Sequence, residues 1–417
     1  MAEETARAVT RRERPDNGWA QVWDKILTGR KTALPVMLLG LFFLLWLTIA
    51  GANVPSEWLW QGVLWCYGRL SALLAGTPWF VRGALLDGVL LTAGRVLAVM
   101  LPPMAIFFPL FTLLEDLGYL PRVAYNLDHC LERCGGCGKM ALTMCMGLGC
   151  NAAGVTGCRI IDSPRERKLA MVTNSFIPCN GRFGALIFLL TAFLLPGGGS
   201  AGAALGLLGL LVLGVGMTLL VSKLLSRTVL RGMPSAFTLE LPPYRRPRVG
   251  RVLVRSVLDR TLKVLGRAVT VAAPAGLLLW LLDTATVGAG SLLWHLSNAL
   301  DPVGRALGMN GILLAAFILG FPANEIVLPI AVLAVTGTLQ LDAEGAALAS
   351  ALGTMGFDWE MALCTAVFFL FHWPCATTCL TLRRETGSTG WMLFAMALPT
   401  AVGALLCGAI HLICSLI

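Results

Sequence analysis

Charge is scarce in this 417-residue chain: Asp, Glu, Lys and Arg make up 13% of it, about half the share usual in soluble domains. That excludes an ordinary cytosolic enzyme and a disordered chain. Histidine is nearly absent, with four scattered residues at 129, 295, 372 and 411 and no His-Glu-x-x-His run, which speaks against a zinc protease. The thirteen cysteines include one Cys-x-x-Cys, whose two middle residues are Gly135 and Gly136. It lacks the surroundings of a thioredoxin-like redox motif, and a secreted disulfide scaffold is excluded as well. What is abundant is apolar surface: 57% of residues are hydrophobic and the mean hydropathy is +0.77. The chain reads as a polytopic, all-α membrane protein.

Uncharged runs locate the spans, because a charge at the bilayer centre is costly and roughly 20 apolar residues cross it. Thr32–Ser56 and Val96–Leu114 hold no charge, and Phe183–Leu220 runs through a turn at Pro196-Gly197-Gly198-Gly199. Later candidates are Ala268–Leu282, Ala306–Asn324, Ile326–Leu341, Met361–Leu382 and Thr386–Ile417, so about 8 spans are expected. The first lies too far from the N-terminus, and is too long, for a cleavable signal peptide.

The net charge of +9 comes from 26 Arg and 6 Lys against 23 acids, and its placement argues topology rather than nucleic acid. Seven basic residues precede the first span, seven lie between Arg122 and Lys168, and eleven between Lys223 and Arg267. The stretch 340–360 carries Asp342, Glu344, Asp358 and Glu360 and no basic residue. This positive-inside pattern places the N-terminus and the 223–267 loop in the cytoplasm, against anionic lipid. The expected organisation is a polar arm over 1–31, a first half over 32–222, a basic loop over 223–267 and a second half over 268–417.

With 285–308 and 340–360 on one side, 309–338 must leave and return on that side as a re-entrant hairpin broken at Phe321-Pro322-Ala323-Asn324. Lys139–Ile161, broken around Gly147-Leu148-Gly149-Cys150-Asn151, looks like its mirror image. Two interrupted segments in opposite orientation are the signature of an inverted repeat around a midplane site.

Ionisable groups in such stretches are functional candidates. Glu325 stands alone between apolar runs, beside Asn324 and the break at Pro322; it reads either as a cation ligand or as a buried carboxylate paired with a neighbouring helix. Glu115 ends the second span and reads equally as a solvated helix end. Cys150 sits at the glycine-rich break. Cys179 follows Pro178 in Ile-Pro-Cys-Asn-Gly-Arg, with Asn180 next, and Cys375 follows Pro374 in His372-Trp-Pro-Cys. Proline frees backbone carbonyls, and thiolate suits late transition metals better than magnesium or calcium. Any one buried cysteine is commonly a small apolar packer, and a lone His in a span commonly a packed residue, but Pro-Cys occurs here in both halves. Cys130, Cys134 and Cys137, with His129 nearby, have the partial spacing of a cytoplasmic zinc site.

At these residues the sequence resembles the membrane (gate) domain of the FeoB-type ferrous iron transporters. The resemblance is carried by PLFTLLEDLGYLPR (109–122), MGLGCNAAGVTGCRIIDSPRER (146–167), IPCNGRF (177–183), GFPANEIVLPI (320–330) and HWPCATTCLTLRRETGSTGW (372–391). It implies a bacterial inner-membrane importer, with Fe2+ as transported substrate and no bound cofactor. Its path would be lined by Cys150, Cys179 and Cys375 with Glu115, Asn324 and Glu325. Asn151, Asn180, Pro178, Pro322, Pro374 and His372 would support them.

The chain departs from the family twice. The family's Gly-Cys-Asn-Val-Pro loop reads Gly149-Cys150-Asn151-Ala152-Ala153 here, so glycines must open the first break in place of proline. Family members usually begin with a GTP-binding domain, yet no Gly-x4-Gly-Lys-[Ser/Thr] run occurs in these 417 residues, and no hydrolysis is expected from them. The partners implied are membrane lipid, a separate G-protein subunit, a small cytoplasmic Feo-type accessory protein and a further copy of the chain in a homo-oligomer; no nucleic acid is implied. The rival expectations are a gate-type carrier of nucleosides or another organic solute, which would want aromatic faces and amides rather than thiols, and a membrane thiol or metal enzyme.

Overall fold

A computed structural model describes residues 18–29, 31–232, 261–287, 290–336 and 356–416, with isolated positions at 249–250, 254, 258 and 352–353. The polar arm up to residue 17, most of the basic loop, and Asp342 and Glu344 lie outside the described residues. Among those described, the chain is helical apart from a two-rung hairpin that pairs β1 (Thr286–Val287) with β2 (Gly290–Ser291).

A short helix α1 (Gly18–Leu27) precedes the long α2 (Ala33–Leu73). The second span, α3 (Trp79–Asp116), contains a π-helical stretch at Ala84–Leu90. Gly118 then adopts φ +81 and turns the chain into α4 (Tyr119–Arg133). Arg122 holds this corner: its Nη1 donates to the Gly118 carbonyl at 2.7 Å, and its Nε pairs with Asp24 of α1 at 3.1 Å.

The first half continues with a helical hairpin, α5 (Lys139–Gly149) and α6 (Asn151–Gly157). An interrupted span follows, α7 (Pro164–Thr173) and α8 (Asn180–Leu189), and then an unbroken one, α9 (Gly199–Arg227). After α10 (Leu262–Thr284) and α11 (Leu292–Ala306), the same order returns. The second hairpin is α12 (Gly311–Leu319) and α13 (Val327–Thr336). The second interrupted span is α14 (Trp359–Phe371) and α15 (Ala376–Thr386). The closing helix is α16 (Thr389–Leu416).

Six helices or helix pairs among the described residues are long and apolar enough to cross a membrane, and α11 with α12 makes a seventh if counted as one bent span. This corrects the expected count of about 8. Ala306–Asn324 is not a straight span. Its chain turns by 109° between α11 and α12, where Gly308 takes φ +66 and the Asp301 and Asn310 side chains cap Gly311 N and Leu313 N at 3.0 and 2.9 Å.

The buried core joins the halves. Phe176 of the first half meets Phe371 of α14 at 5.8 Å between centroids, and within the second half Phe317 of α12 packs its ring on Phe368 and Phe369 of α14 at 4.8 and 4.7 Å. Leucines such as Leu39, Leu405 and Leu412 face outward, as expected of helices whose outer solvent is lipid.

Candidate functional site

Four breaks in the helices meet at the centre of the molecule, and each places one residue in extended backbone immediately before a helix start. Cys150 (φ −157, ψ 124) precedes α6, and Ala323 (φ −151, ψ 117) precedes the 3-10 turn Asn324–Ile326 that leads into α13. Cys179 (φ −87, ψ 167) precedes α8, and Cys375 (φ −60, ψ 159) precedes α15. The torsions pair Cys150 with Ala323 and Cys179 with Cys375. The second half therefore carries alanine where the first hairpin carries a thiol, with Glu325 two residues further on.

Proline accounts for three breaks, since Pro178, Pro322 and Pro374 supply no N–H to the preceding turn. The fourth has no proline, and glycine opens it by close approach: φ is not positive at Gly147, Gly149 or Gly154. A Cβ on Gly147 or Gly154 would strike the Asn174 side chain, and one on Gly149 would strike the Phe108 ring. The room left by the glycines admits the Asn174 amide, whose Nδ2 donates to the Asn151 carbonyl at 3.1 Å. The Asn151 side chain, with its Nδ2 turned toward the acceptors, donates to Ile177 O at 3.1 Å and Gly147 O at 3.2 Å. The first hairpin is thereby tied to the first unwound segment.

The second half has an equivalent tie made from different residues. His372 is fully buried; its Nδ1–H donates to the carbonyls of Phe368 and Phe369 at 3.1 and 3.0 Å, and its Nε2 faces the Asn324 side-chain amide at 3.3 Å. The backbone N–H of Ala376 donates to Phe321 O at 3.0 Å. His372 thus lies beside Asn324 across the second hairpin.

Sequence reasoning passed over Arg182. This residue of α8 is fully buried and reaches across the molecule: Nη1 donates to Leu370 O at 2.9 Å, and Nη2 donates to His372 O and Trp373 O at 3.1 and 3.2 Å. Its positive charge caps the carbonyls that the second break sets free, and it lies in the electrostatic neighbourhood of Cys179, Cys375 and Glu325. The only hint in the sequence was a charged residue three positions past a Pro-Cys break; its partners lie some 190 residues away.

Cys179 has Cys150, Cys375 and Glu325 as electrostatic neighbours, and Cys150 has Cys375 and Glu325. The Glu325 carboxylate lies against the first turn of α8, where a Cβ on Gly181 would collide with it; a helix N-terminus favours a carboxylate there. Cys179 is buried, while Cys150 and Cys375 are partly accessible, and Cys375 Sγ lies 3.3 Å from Thr378 Oγ1. No three His, Cys, Asp or Glu side chains among the described residues come together as a metal-binding group. That holds for Cys130, Cys134 and Cys137 too: Cys130 is exposed and Cys137 buried, with burial and neighbouring Glu166 pushing the Cys137 thiol up to about 12.

A cavity of about 650 Å³ reaches this centre. Asn180, Glu325 and Ile326 are among its lining residues, and α2 and α3 supply much of its wall. Glu115 is not among the lining residues; it is exposed at the far end of α3, roughly 18 Å along the helix from the lining Pro103 at 1.5 Å per residue.

Comparison with known proteins places these features in a family context. Residues 97–193 match the family model Gate, described as nucleoside recognition, and residues 207–259 match the C terminus of ferrous iron transport protein B. A protein of Synechocystis named Fe(2+) transporter FeoB is 29% identical over 91% of this chain and 60% of its own length. One of the same name from Staphylococcus aureus is 27% identical over 90% of this chain and 56% of its own. A Porphyromonas gingivalis protein named as a fusion of Fe(2+) transport protein A with Fe(2+) transporter FeoB is 24% identical over 89% of this chain and 49% of its own. The chain spans about half the length of the curated relatives it matches. No solved structure matches it. Across nine-tenths of its length this polytopic membrane chain resembles the membrane domain of the FeoB-type ferrous iron transporters.

Proposed function

We propose that the chain moves ferrous iron inward across a bacterial inner membrane, with its N-terminus in the cytoplasm. Fe2+ would exchange water stepwise for the Glu325 carboxylate, the Asn180 and Asn324 amide oxygens and the thiols of Cys150, Cys179 and Cys375, with Glu115 at the cytoplasmic end of α3 on the way out. The observation that carries the reading is the convergence of four helix breaks: three hold cysteine, and the fourth holds Glu325 two residues past its extended alanine. Thiolate and carboxylate together suit a borderline-soft divalent ion, although affinity order alone does not choose iron over manganese or zinc. The separation of these groups suits conduction, which needs weak sites in series rather than one tight cage. The name of one relative, a fusion with Fe(2+) transport protein A, supports a small Feo-type protein as a partner, and a separate G-protein subunit is proposed beside it. Anaerobic uptake of radiolabelled Fe2+ into proteoliposomes tests the proposal: saturable entry in the wild type and its loss in Cys150→Ser, Cys179→Ser and Cys375→Ser are expected.

A second reading, a carrier of nucleosides or another organic solute, draws on the cavity. Its volume suits a small organic ligand, and its walls include Trp60, Phe183 and Phe188, with Asn53 and Asn180 but no cysteine. In that case the three Ser variants transport normally and a nucleoside mixture suppresses transport.

A further inference from the structure

The residues along the cavity point to a role for it that the cysteine path alone does not supply. On α2 the lining positions Thr48, Ala52, Ser56 and Trp60 recur every fourth residue, with Glu57 beside them and Leu45 and Ile49 among them, so a mixed stripe that carries hydroxyls and a carboxylate on an otherwise apolar helix is turned inward. The stripe runs along roughly 22 Å of helix from Leu45 to Trp60 at 1.5 Å per residue. Near one end of it Glu57, half-buried, accepts from Gln61 Nε2 at 2.8 Å; Asn180 and Glu325 line the same cavity.

Two polar atoms bordering the cavity, Trp60 Nε1 and Asn180 Oδ1, are buried without a hydrogen-bond partner among the described residues, as is a third, Thr92 Oγ1. A buried polar group left unpaired costs about 1–3 kcal/mol, so both call for a polar occupant. The pair is chemically telling, because Trp60 Nε1–H only donates. A bare cation offers it nothing, whereas waters around a cation can accept from it. Asn180 Oδ1 can take either water or the cation itself. The volume is also sufficient: six waters at about 30 Å³ each occupy roughly 180 Å³, well within the 650 Å³ of the cavity.

We infer that this cavity is the outer vestibule of the path and receives a divalent cation with its water shell still in place. Glu57 attracts the ion at the rim, Trp60 holds water of the shell, and Asn180 with Glu325 makes the first direct contacts at the floor. The inference rests on the transport reading above for the identity of the cation, but its central statement, a water-filled chamber that takes hydrated divalent ions, can be tested without transport.

The test uses the full chain in proteoliposomes under anaerobic conditions. Ala52→Cys, in the cavity wall, is compared with Ala395→Cys, equally buried in α16 but not lining it. Labelling from outside by a small, charged, membrane-impermeant methanethiosulfonate is read by mass spectrometry of the peptide bearing each cysteine, which separates it from the thirteen native ones. We expect labelling at 52 and none at 395, with the rate at 52 falling several-fold in the presence of Fe2+ or Mn2+. Labelling at 52 that matches 395 would overturn the vestibule. Labelling slowed by nucleosides and not by cations would overturn both the hydrated-ion occupant and the iron reading. Labelling slowed by Fe2+ without any uptake would uphold the vestibule while the transport reading failed. The half-buried Glu57 gives a second arm that does not endanger folding: Glu57→Gln should raise the KM for uptake roughly 2- to 10-fold at low salt with Vmax unchanged, and the difference should shrink as ionic strength screens the rim. An unchanged KM would remove Glu57 from the role.

Discussion

Arg182 offers the sharpest energetic prediction, because three of its bonds cross between the halves in a fully buried setting. Arg182→Met keeps the length of the side chain and removes the guanidinium. The carbonyls of Leu370, His372 and Trp373 then lose their donors in a buried setting. At about 1–3 kcal/mol for each acceptor left unpaired, the gross loss is roughly 3–9 kcal/mol. Removing a buried charge returns several kcal/mol of desolvation, so the net destabilisation expected is about 2–5 kcal/mol. Arg182→Lys keeps the charge but not the planar fork, which is what lets one side chain serve three carbonyls of the other half. It should fall between wild type and Met, at about 1–3 kcal/mol. The assay is unfolding by SDS in mixed micelles, followed by tryptophan fluorescence, with the alkylation rate of the Cys375 thiol as a local readout. Both variants should unfold earlier, and Cys375 should react faster as its segment loosens. If Arg182→Met proved as stable as wild type, or if Lys replaced Arg without loss, the view of Arg182 as a buried tie between the halves would be refuted.

Further predictions follow from single contacts. Gly181→Ala pushes a methyl group into the Glu325 carboxylate; it should leave the protein folded at a cost of about 1–3 kcal/mol, yet reduce Fe2+ uptake as strongly as Glu325→Gln, and full uptake in the alanine variant would contradict the placement of Glu325. Gly154→Ala displaces the Asn174 amide from the first hairpin, and a stability loss no larger than that of alanine at Gly209, which has open space around it, would count against the glycine account of that break. Because Glu115 is exposed at a helix end, Glu115→Gln should slow uptake less than Glu325→Gln, as measured by initial rates at matched expression. At pH 8 the buried Cys137 thiol, pushed up to about 12, stays protonated and should resist iodoacetamide while the exposed Cys130 is modified; peptide mapping that finds both equally alkylated would contradict the packing there.

Much of this arrangement was legible in the sequence because breaks have local causes. Pro178, Pro322 and Pro374 remove donors wherever they fall in a helix, and a thiol or a carboxylate beside them stands out against apolar neighbours. The repeat of hairpin and interrupted span was readable from the same punctuation. What local patterns do not carry is the third dimension. The equivalence of Ala323 with Cys150 appears only in their matching extended torsions, since alanine leaves no chemical mark. Arg182 finds partners some 190 residues away, so nothing near it in the chain announces its role. Glu57 closes the first uncharged run and therefore reads as the end of a span, yet α2 continues to Leu73 and turns Glu57 into the cavity. The span count differed for related reasons: Ala306–Asn324 is uncharged throughout and hydropathy is blind to the turn at Gly308, while the apolar run in α10 is shorter than a full span.

The central claim is that a thiol- and carboxylate-lined path carries ferrous iron, and one measurement bears on it most directly. Initial rates of anaerobic radiolabelled Fe2+ entry into proteoliposomes are compared for wild type, Cys150→Ser, Cys179→Ser and Cys375→Ser, each with and without a nucleoside mixture, and with the G-protein subunit of a relative supplied alongside GTP. The account predicts saturable entry in the wild type, at least a roughly tenfold loss in each serine variant as a soft ligand is replaced by a hard one, and no effect of nucleosides. Wild-type rates in all three variants, or suppression by nucleosides, would contradict it.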